Sequence, residues 1–168
     1  MKIEFKNSDA FAVEADCLLS SGNVQLNMSG GINGALLGKY GPGLQRELHG
    51  YLEQNEIKQV EPGFIYRFEQ NIPPYHMVLY AVGVDVWYHS SRELLREVLF
   101  QSLNQVSQAG LKTVVAVAIG TGYGNLPLND FCLALRDLPD FAGIDTLYIC
   151  ERNSMRFNRI LKNYTDQG

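Results

Sequence analysis

The chain lacks the features that mark nucleic-acid-binding and membrane proteins. Its 168 residues contain 14 Lys and Arg against 18 Asp and Glu, a formal net charge of −4, with no basic run. Proteins that bind phosphate backbones usually present a basic face, so we expect no sequence-specific nucleic-acid binding. No apolar span reaches the length of about 18 residues that a bilayer requires, and the first residues lack an apolar leader core. We therefore expect a cytoplasmic protein with no membrane partner.

Cysteine and histidine are too few and too scattered to predict a metal site. The cysteines are Cys17, Cys132 and Cys150. They are odd in number and each lies in an apolar segment, which is typical of buried reduced thiols rather than of a disulfide framework. The three histidines show no H-x-x-x-H spacing and have no cysteine at ligand spacing. We predict no metal ion and no cofactor.

Apolar segments of strand length alternate with helical patterns, and no repeat, linker or low-complexity block interrupts them. Strands are predicted over residues 2–5, 16–19, 63–68, 77–84, 113–119 and 146–150. Helices are predicted after Ile32 and over residues 44–52, 91–109, 128–138 and 154–163, from apolar residues at helical spacing. This alternation predicts one domain, residues 1–168, of the α/β class. Its expected architecture is a three-layer α/β/α fold with a mixed, largely parallel central sheet of about six strands.

Two glycine-rich stretches follow predicted strands. They are SSGNVQLNMSGGINGALLGKYG at residues 20–41 and AIGTGYGNLP at residues 118–127. In open α/β sheets, ligands bind in the crevice outside the carboxyl ends of the strands. Residues 29–32, here called the first glycine loop, open a helix, whose free N–H groups and dipole favour an anion. Residues 120–124, the second glycine loop, precede another helix.

Glycine lets a phosphate approach the backbone, so two such loops could clamp a diphosphate from both sides. The alternative is that the glycines only form tight strand-to-helix turns. Neither loop matches G-x-x-x-x-G-K-[ST], and neither is a G-x-G-x-x-G with an acidic residue at the usual distance. The sequence therefore does not support nucleotide triphosphate hydrolysis or dinucleotide redox chemistry.

Five short stretches stand in the order of one family's motifs. They are Ser8-Asp9-Ala10-Phe11, the apolar strand ending in Ser20-Ser21-Gly22-Asn23, Gly30-Gly31-Ile32 with Gly34-Ala35-Leu36, Leu79 to Trp87, and Val117 to Gly124. They resemble the G-D-I-T, N-A-A-N, glycine-rich, I-H-A-V-G-P-x-W and S-T-G-x-x-G stretches of the macrodomains, α/β/α modules that bind ADP-ribose. The resemblance covers roughly residues 2–150.

The resemblance implies a set of ligand-binding residues. They are Asp9, Ala10, Asn23, Ser29, Gly30, Gly31, Ile32, Gly120, Thr121, Gly122, Tyr123 and Gly124. Asp9 would accept a hydrogen bond from the adenine amino group, and Asn23 would bond the distal ribose hydroxyls. N–H groups of the two glycine loops would each hold one phosphate, and Tyr123 would also lie over the distal ribose. An aromatic residue that stacks on adenine is expected near residues 150–153, where this chain has none.

The residue types alone leave plainer alternatives open. Asp9 could be a turn or helix-cap residue, Asn23 a turn asparagine in a left-handed conformation, and Tyr123 a core or rim tyrosine. Asp85 and His89 follow a strand end, and they either reach the crevice or belong to a solvated loop.

Departures from the motifs favour binding over catalysis. Ser20 replaces the first Asn of N-A-A-N, and Asn33 stands where one hydrolytic branch carries Asp. An amide is a poor general base. The lysine and second-loop Asp of another branch would fall near Gly83 and Gly124, and neither side chain is present.

The leading hypothesis is thus a module that binds ADP-ribose or an ADP-ribosylated macromolecule. The first alternative is a hydrolase that removes ADP-ribose from a macromolecule or hydrolyses a small ADP-ribose derivative, with Asn23 as the candidate catalytic residue that positions water. The second is a diverged macrodomain that recognises another nucleotide or a protein partner.

Overall fold

A six-stranded sheet forms the centre of the fold. The structure is a computed structural model that describes residues 1–166. The strands are β1 (Lys2–Lys6), β2 (Cys17–Gly22), β3 (Ile65–Arg67), β4 (Met77–Val82), β5 (Thr113–Val117) and β6 (Thr146–Cys150). They lie in the order β1-β6-β5-β2-β4-β3, and every neighbouring pair is parallel except β3 with β4. The predicted mixed, largely parallel sheet is confirmed.

Helices cover both faces of this sheet. They are α1 (Gly31–Tyr40), α2 (Gly43–Gln54), α3 (Arg92–Gln108), α4 (Leu128–Arg136) and α5 (Ser154–Thr165), with a short 3-10 turn at Ala10–Ala12. One apolar core packs α3, α4 and α5 against the sheet, through residues such as Leu99, Phe131 and Ile160. The other packs α1 and α2, through residues such as Leu36 and Leu48. The three-layer α/β/α architecture is therefore confirmed.

Strand β2 differs most from its predicted bounds. It begins at Cys17 and continues through Gly22, because Ser20 and Ser21 pair with Tyr80 and Ala81 of β4. The serine run looked like the start of a loop, since serine has no strong strand preference. Strands β3, β4 and β5 are in turn shorter than predicted.

The three cysteines are buried free thiols, as predicted. Burial raises the pKa of Cys17 to about 12 and that of Cys132 to about 11, so both stay protonated at neutral pH. Within residues 1–166 no cluster of His, Cys, Asp and Glu could hold a metal ion. None of the helices in the same range is long and apolar enough to cross a bilayer.

Asp16 ties together the starts of three strands. Its Oδ2 accepts hydrogen bonds from the N–H groups of Lys112 and Thr113, at 2.8 and 2.9 Å, and from the Thr113 hydroxyl at 3.1 Å. Its carbonyl oxygen accepts from the N–H of His76 at 2.8 Å. Burial acts to raise the pKa of Asp16, but the hydrogen bonds from Lys112 and Thr113 outweigh it and leave the pKa below its ordinary value of 3.8.

We predict that Asp16→Asn lowers the free energy of unfolding at neutral pH by about 1–3 kcal/mol, because hydrogen bonds to a charged acceptor become bonds to a neutral one. A carboxyl group whose folded-state pKa is depressed stabilises the fold above its unfolded pKa, and this stabilisation disappears as pH falls through the folded-state pKa. The difference between the two proteins should therefore shrink below pH 3.8. Urea unfolding at several acid pH values measures this difference in unfolding free energy. Glu14→Gln, at an exposed position, is the control. A loss that is equally large at the lowest pH would contradict the electrostatic origin.

Candidate functional site

A crevice of about 470 Å³ lies at the carboxyl ends of the parallel strands. It is bordered by the loops that follow β1, β2, β4, β5 and β6. All of the residues predicted to bind the ligand, from Asp9 to Gly124, line it. The structure thus brings together the two glycine loops, which the sequence separates by nearly ninety residues.

The first glycine loop presents free backbone donors. The first hydrogen bond of α1 runs from the N–H of Gly34 to the carbonyl of Gly30, at 2.9 Å. The N–H groups of Gly31, Ile32 and Asn33 therefore have no helical acceptor and carry the positive end of the helix dipole. Gly30 and Gly31 have φ angles of 65° and 51°, a region that side chains other than glycine rarely enter.

The second glycine loop also presents donors, but fewer than predicted. The N–H of Thr121 donates to the carbonyl of Ala118 at 3.3 Å, so it is already engaged. The N–H groups of Gly122, Tyr123 and Gly124 donate to no other residue among those described. A Cβ on Gly124 would lie 2.5 Å from the carbonyl oxygen of Gly120, so only glycine fits there. Three free backbone N–H donors therefore remain at the anion site predicted for this loop.

Tyr123 connects the two loops across the crevice. Its hydroxyl lies 2.9 Å from the position that a Cβ on Gly30 would occupy, and its side chain is 73% exposed. Position 30 therefore requires glycine for two reasons: its positive φ angle and the close approach of the Tyr123 hydroxyl. The interpretation of Tyr123 as a rim residue is correct, and the interpretation as a core residue is wrong.

Asp9 caps the turn at Ala10–Ala12 and faces an arginine. Its Oδ1 accepts from the N–H of Phe11 at 3.0 Å, and its Oδ2 lies 3.6 Å from the Arg152 guanidinium. The helix-cap interpretation of Asp9 is therefore correct. Its half-exposed carboxylate also lines the crevice, so the two roles are compatible.

Asn23 closes the loop that follows β2. Its Nδ2 donates to the carbonyl of Asn27 at 2.9 Å, and its Oδ1 accepts from the N–H of Asn27 at 3.1 Å. It is a turn asparagine, but the left-handed residue of this turn is Leu26, with φ 55°. Both ends of the Asn23 amide are thus engaged within the protein.

Tyr80 supports this loop from inside the sheet. Its hydroxyl accepts from the N–H of Asn23 and donates to the carbonyl of Asn27, each at 3.0 Å. The side chain is fully buried, and burial raises the pKa of Tyr80 to about 12, so the hydroxyl keeps its proton. Gly22 lies directly against the ring.

The two positions that depart from the catalytic motifs have structural contacts. Ser20 is buried and donates to the carbonyl of Leu79 at 3.2 Å. Asn33 is 4% exposed, and its Nδ2 donates to the carbonyl of Ser21 at 2.6 Å, which ties α1 to β2. Its Oδ1 is buried at the crevice and has no partner among the described residues. This oxygen could accept a hydrogen bond only from a group that reaches its buried position, and an amide cannot act as a base.

Sequence reasoning missed two arginines that follow β6. Arg156 donates from Nη2 to the Thr121 hydroxyl at 2.7 Å and from Nε to Glu151 at 3.0 Å, and Arg152 faces Asp9. Both line the crevice. Residues 150–153 were expected to supply a stacking aromatic and contain Arg152 instead, whose planar guanidinium can also stack on aromatic rings. Arg156 lies beyond that range.

We predict that Gly22→Ala destabilises the protein by about 1–3 kcal/mol, because the new Cβ would overlap the Tyr80 ring in a packed core. Gly38→Ala is the matched control, because it lies within α1 with nothing near its Cβ position. Alanine there should stabilise the helix by about 0.5–1 kcal/mol. Thermal unfolding of the three proteins measures both effects. Equal melting temperatures for Gly22→Ala and the unsubstituted protein would contradict the packing argument.

Comparison with known proteins identifies the family. The Macro domain model matches residues 20–133. Uncharacterised proteins of Mycobacterium bovis and Mycobacterium tuberculosis are each 25% identical over 130 residues, which is 77% of this chain and 35% and 34% of theirs. The chain therefore spans about a third of the length of the curated relatives it matches.

Solved structures agree in fold. The Trypanosoma brucei macrodomain in complex with ADP has a TM-score of 0.76 at 18% identity, over 96% of this chain and 67% of that one. A variant of the Oceanobacillus iheyensis macrodomain with ADPR has a TM-score of 0.78 at 17% identity, over 98% and 91%. At sequence identities this low, the comparison shows a similar fold and nothing beyond the fold. Because the family model covers more than half of the chain, the chain belongs to the Macro domain family.

Proposed function

We propose that the crevice binds ADP-ribose, either free or as an ADP-ribosyl group on a macromolecule. The observation that carries the proposal is the pair of facing backbone donor clusters. Gly31, Ile32 and Asn33 offer one set of free N–H groups, and residues 122–124 offer the other. Two anion sites on opposite walls of one crevice fit the two phosphates of a diphosphate. A macrodomain of the same fold, from Trypanosoma brucei, is described in complex with ADP-ribose.

The side of the crevice near β1 and β6 suits the adenine base. The Asp9 carboxylate is an acceptor for an exocyclic amino group. Arg152 lies beside it with a planar guanidinium that can cover the base, in place of the missing aromatic. This arrangement supplies both an edge contact and a face contact for a purine.

The opposite side suits the distal ribose. The unpartnered Oδ1 of Asn33 is an acceptor for a hydroxyl, and Tyr123 crosses the crevice nearby. Asn23 borders this side, but it would have to exchange its bonds to Asn27 for bonds to a ligand. Both are candidates for the ribose contact: Asn33 has the unpartnered oxygen, although it is buried, and Asn23 has the more exposed amide, although it is already bonded.

The side chains favour binding over hydrolysis. The carboxylates that line the crevice are Asp9 and Glu151, and each faces an arginine on the β6 side. Ser20 and Asn33 are held by backbone contacts and cannot act as bases at neutral pH. The binding roles of the individual residues are part of this proposal. So is the assignment of residues 1–168 to one domain.

We predict that calorimetry detects binding of ADP-ribose and of ADP, and that Asp9→Ala weakens both by a similar factor of about ten. The reason is that both ligands carry the adenine whose hydrogen bond to a charged acceptor is lost. The exposed Glu61→Ala should leave both affinities unchanged. Absence of heat with about 1 mM ADP-ribose would overturn the proposal. Release of ADP-ribose from a modified protein, abolished in Asn23→Ala, would instead support the hydrolase.

A second prediction concerns Arg156. Arg156→Gln should weaken ADP-ribose and ADP about tenfold while adenosine binding changes little, because the guanidinium lies beside the second glycine loop and attracts a phosphate. The affinity of the variant for ADP-ribose should also depend less on salt, since one positive charge is gone.

Arg159→Gln is the matched control, because Arg159 is exposed on the same helix. Thr121→Val removes the hydrogen bond between Thr121 and Arg156 but keeps the positive charge. The salt dependence of its ADP-ribose affinity should therefore match that of the unsubstituted protein. If both Arg156→Gln and Thr121→Val lose affinity with unchanged salt dependence, Arg156 only supports the loop.

A further inference from the structure

Exposed hydrophobic side chains concentrate at the edge of the sheet that holds the crevice. Within residues 1–166 the large ones are Ile57, Val86, Trp87, Tyr88, Phe100, Tyr123 and Met155. All but Ile57 and Phe100 follow the carboxyl ends of β4, β5 and β6. Scattered exposed side chains need no explanation, but a contiguous group marks a contact surface. Three of them, Val86, Trp87 and Tyr88, are consecutive.

These three residues sit on a turn that is held in one conformation. We call residues 85–89 the 85–89 turn. The Oδ1 of Asp85 accepts from the N–H groups of Trp87 and His89, each at 2.8 Å. The N–H of Asp85 donates to the carbonyl of His89 at 2.8 Å, and Tyr88 adopts a φ of 60°. Of the two sequence alternatives for Asp85 and His89, the loop interpretation is correct.

A turn fixed in this way presents its side chains without further ordering. Trp87, in the middle of the turn, is 75% exposed. Pre-organised aromatic side chains lose little conformational entropy on binding, which makes them effective anchors. The sequence thus keeps a large apolar group in water on a rigid support, an arrangement suited to recognition.

The turn is continuous with the crevice. Val84 and Tyr88 line the crevice, and the N–H of Ser90 donates to the carbonyl of Gly124 at 3.3 Å. In the sheet, β4 lies on one side of β2, whereas β6, which is followed by Arg152, lies beyond β5 on the other side. The 85–89 turn is therefore on the side of the crevice away from Asp9 and Arg152. A group attached to the distal end of the ligand would meet this turn.

The chemistry of the turn fits a polypeptide. Its acidic and basic side chains are Asp85 and His89, and residues 84–91 contain no lysine or arginine. A nucleic-acid strand would find the Asp85 carboxylate at the turn, and the next arginine along the chain, Arg92, is paired with Asp137. Tryptophan and tyrosine, in contrast, are enriched in the energetic centres of protein interfaces.

We propose that the 85–89 turn contacts the polypeptide that carries an ADP-ribosyl group held in the crevice. The inference rests on the proposed function, because it assumes that the crevice holds the ADP-ribosyl moiety. It adds a second contact surface, which makes the carrier part of what the protein recognises.

The test compares free ADP-ribose with synthetic peptides that carry one ADP-ribosyl group. One peptide has apolar residues flanking the modified side chain, and the other has glycine and serine. Trp87→Ser should weaken binding of the apolar-flanked peptide about tenfold and leave the affinity for free ADP-ribose unchanged. The matched control is Ile57→Ser, because Ile57 is an exposed hydrophobic residue that does not line the crevice. It should change neither affinity.

Fluorescence gives a second readout on the unsubstituted protein. Trp87 is the one tryptophan of the chain. Its emission should shift to shorter wavelength with the apolar-flanked peptide, because the indole leaves water, and should stay constant with the glycine–serine peptide and with free ADP-ribose.

Each outcome has one meaning. If the unsubstituted protein does not bind free ADP-ribose, the proposed function fails and the inference fails with it. If it binds free ADP-ribose, but Trp87→Ser leaves the peptide affinity unchanged and the Trp87 emission of the unsubstituted protein does not shift with the apolar-flanked peptide, the inference alone is overturned. A Trp87→Ser effect on an ADP-ribosylated oligonucleotide, without an effect on the peptide, would overturn the choice of carrier.

Discussion

Parallel pairing of strands determines where everything else in this molecule lies. Two parallel strands can be joined only by a connection that crosses a face of the sheet, so the loops leaving their carboxyl ends collect at one edge. Here β1, β6, β5, β2 and β4 are mutually parallel neighbours. The loop after each contributes to the crevice. Formation of the sheet therefore already brings these loops together at the crevice.

Backbone and side chains divide the chemistry of the crevice between them. The centre offers N–H groups of the two glycine loops, whose positions follow from helix α1 and from the turn before α4. The ends offer side chains: Asp9 with Arg152 on one side and the free Oδ1 of Asn33 on the other. Backbone donors lose no side-chain entropy when a ligand binds, which suits a group as common as a diphosphate. In the proposed complex, discrimination between ligands would fall to the side chains at the two ends.

The sequence predicted the parts of this arrangement that follow from pattern. Buried strands and amphipathic helices follow from the spacing of apolar residues, and the glycine loops follow from their position after strands. The end of β2 was missed because Ser20 and Ser21 pair with β4 for reasons of register that their residue types do not show. Arg156 was missed because its partner Thr121 is distant in sequence.

The prediction also assigned a free N–H to Thr121, which the turn to Ala118 uses. Hydrogen bonds within a loop depend on its exact path, and a motif gives only its composition. The same holds for the role of Asp85, whose carboxylate builds a turn from the N–H groups of its neighbours.

The contact between Tyr123 and Gly30 has a kinetic consequence. The Tyr123 hydroxyl lies 2.9 Å from the position that a Cβ on Gly30 would occupy, so this side chain reaches from the second glycine loop to the first. A ligand that lies between the two loops would have to pass this side chain. The ring is mostly in water and can rotate. If the crevice holds a diphosphate between the two loops as proposed, rotation of the Tyr123 ring would be one of the movements that admit and release it.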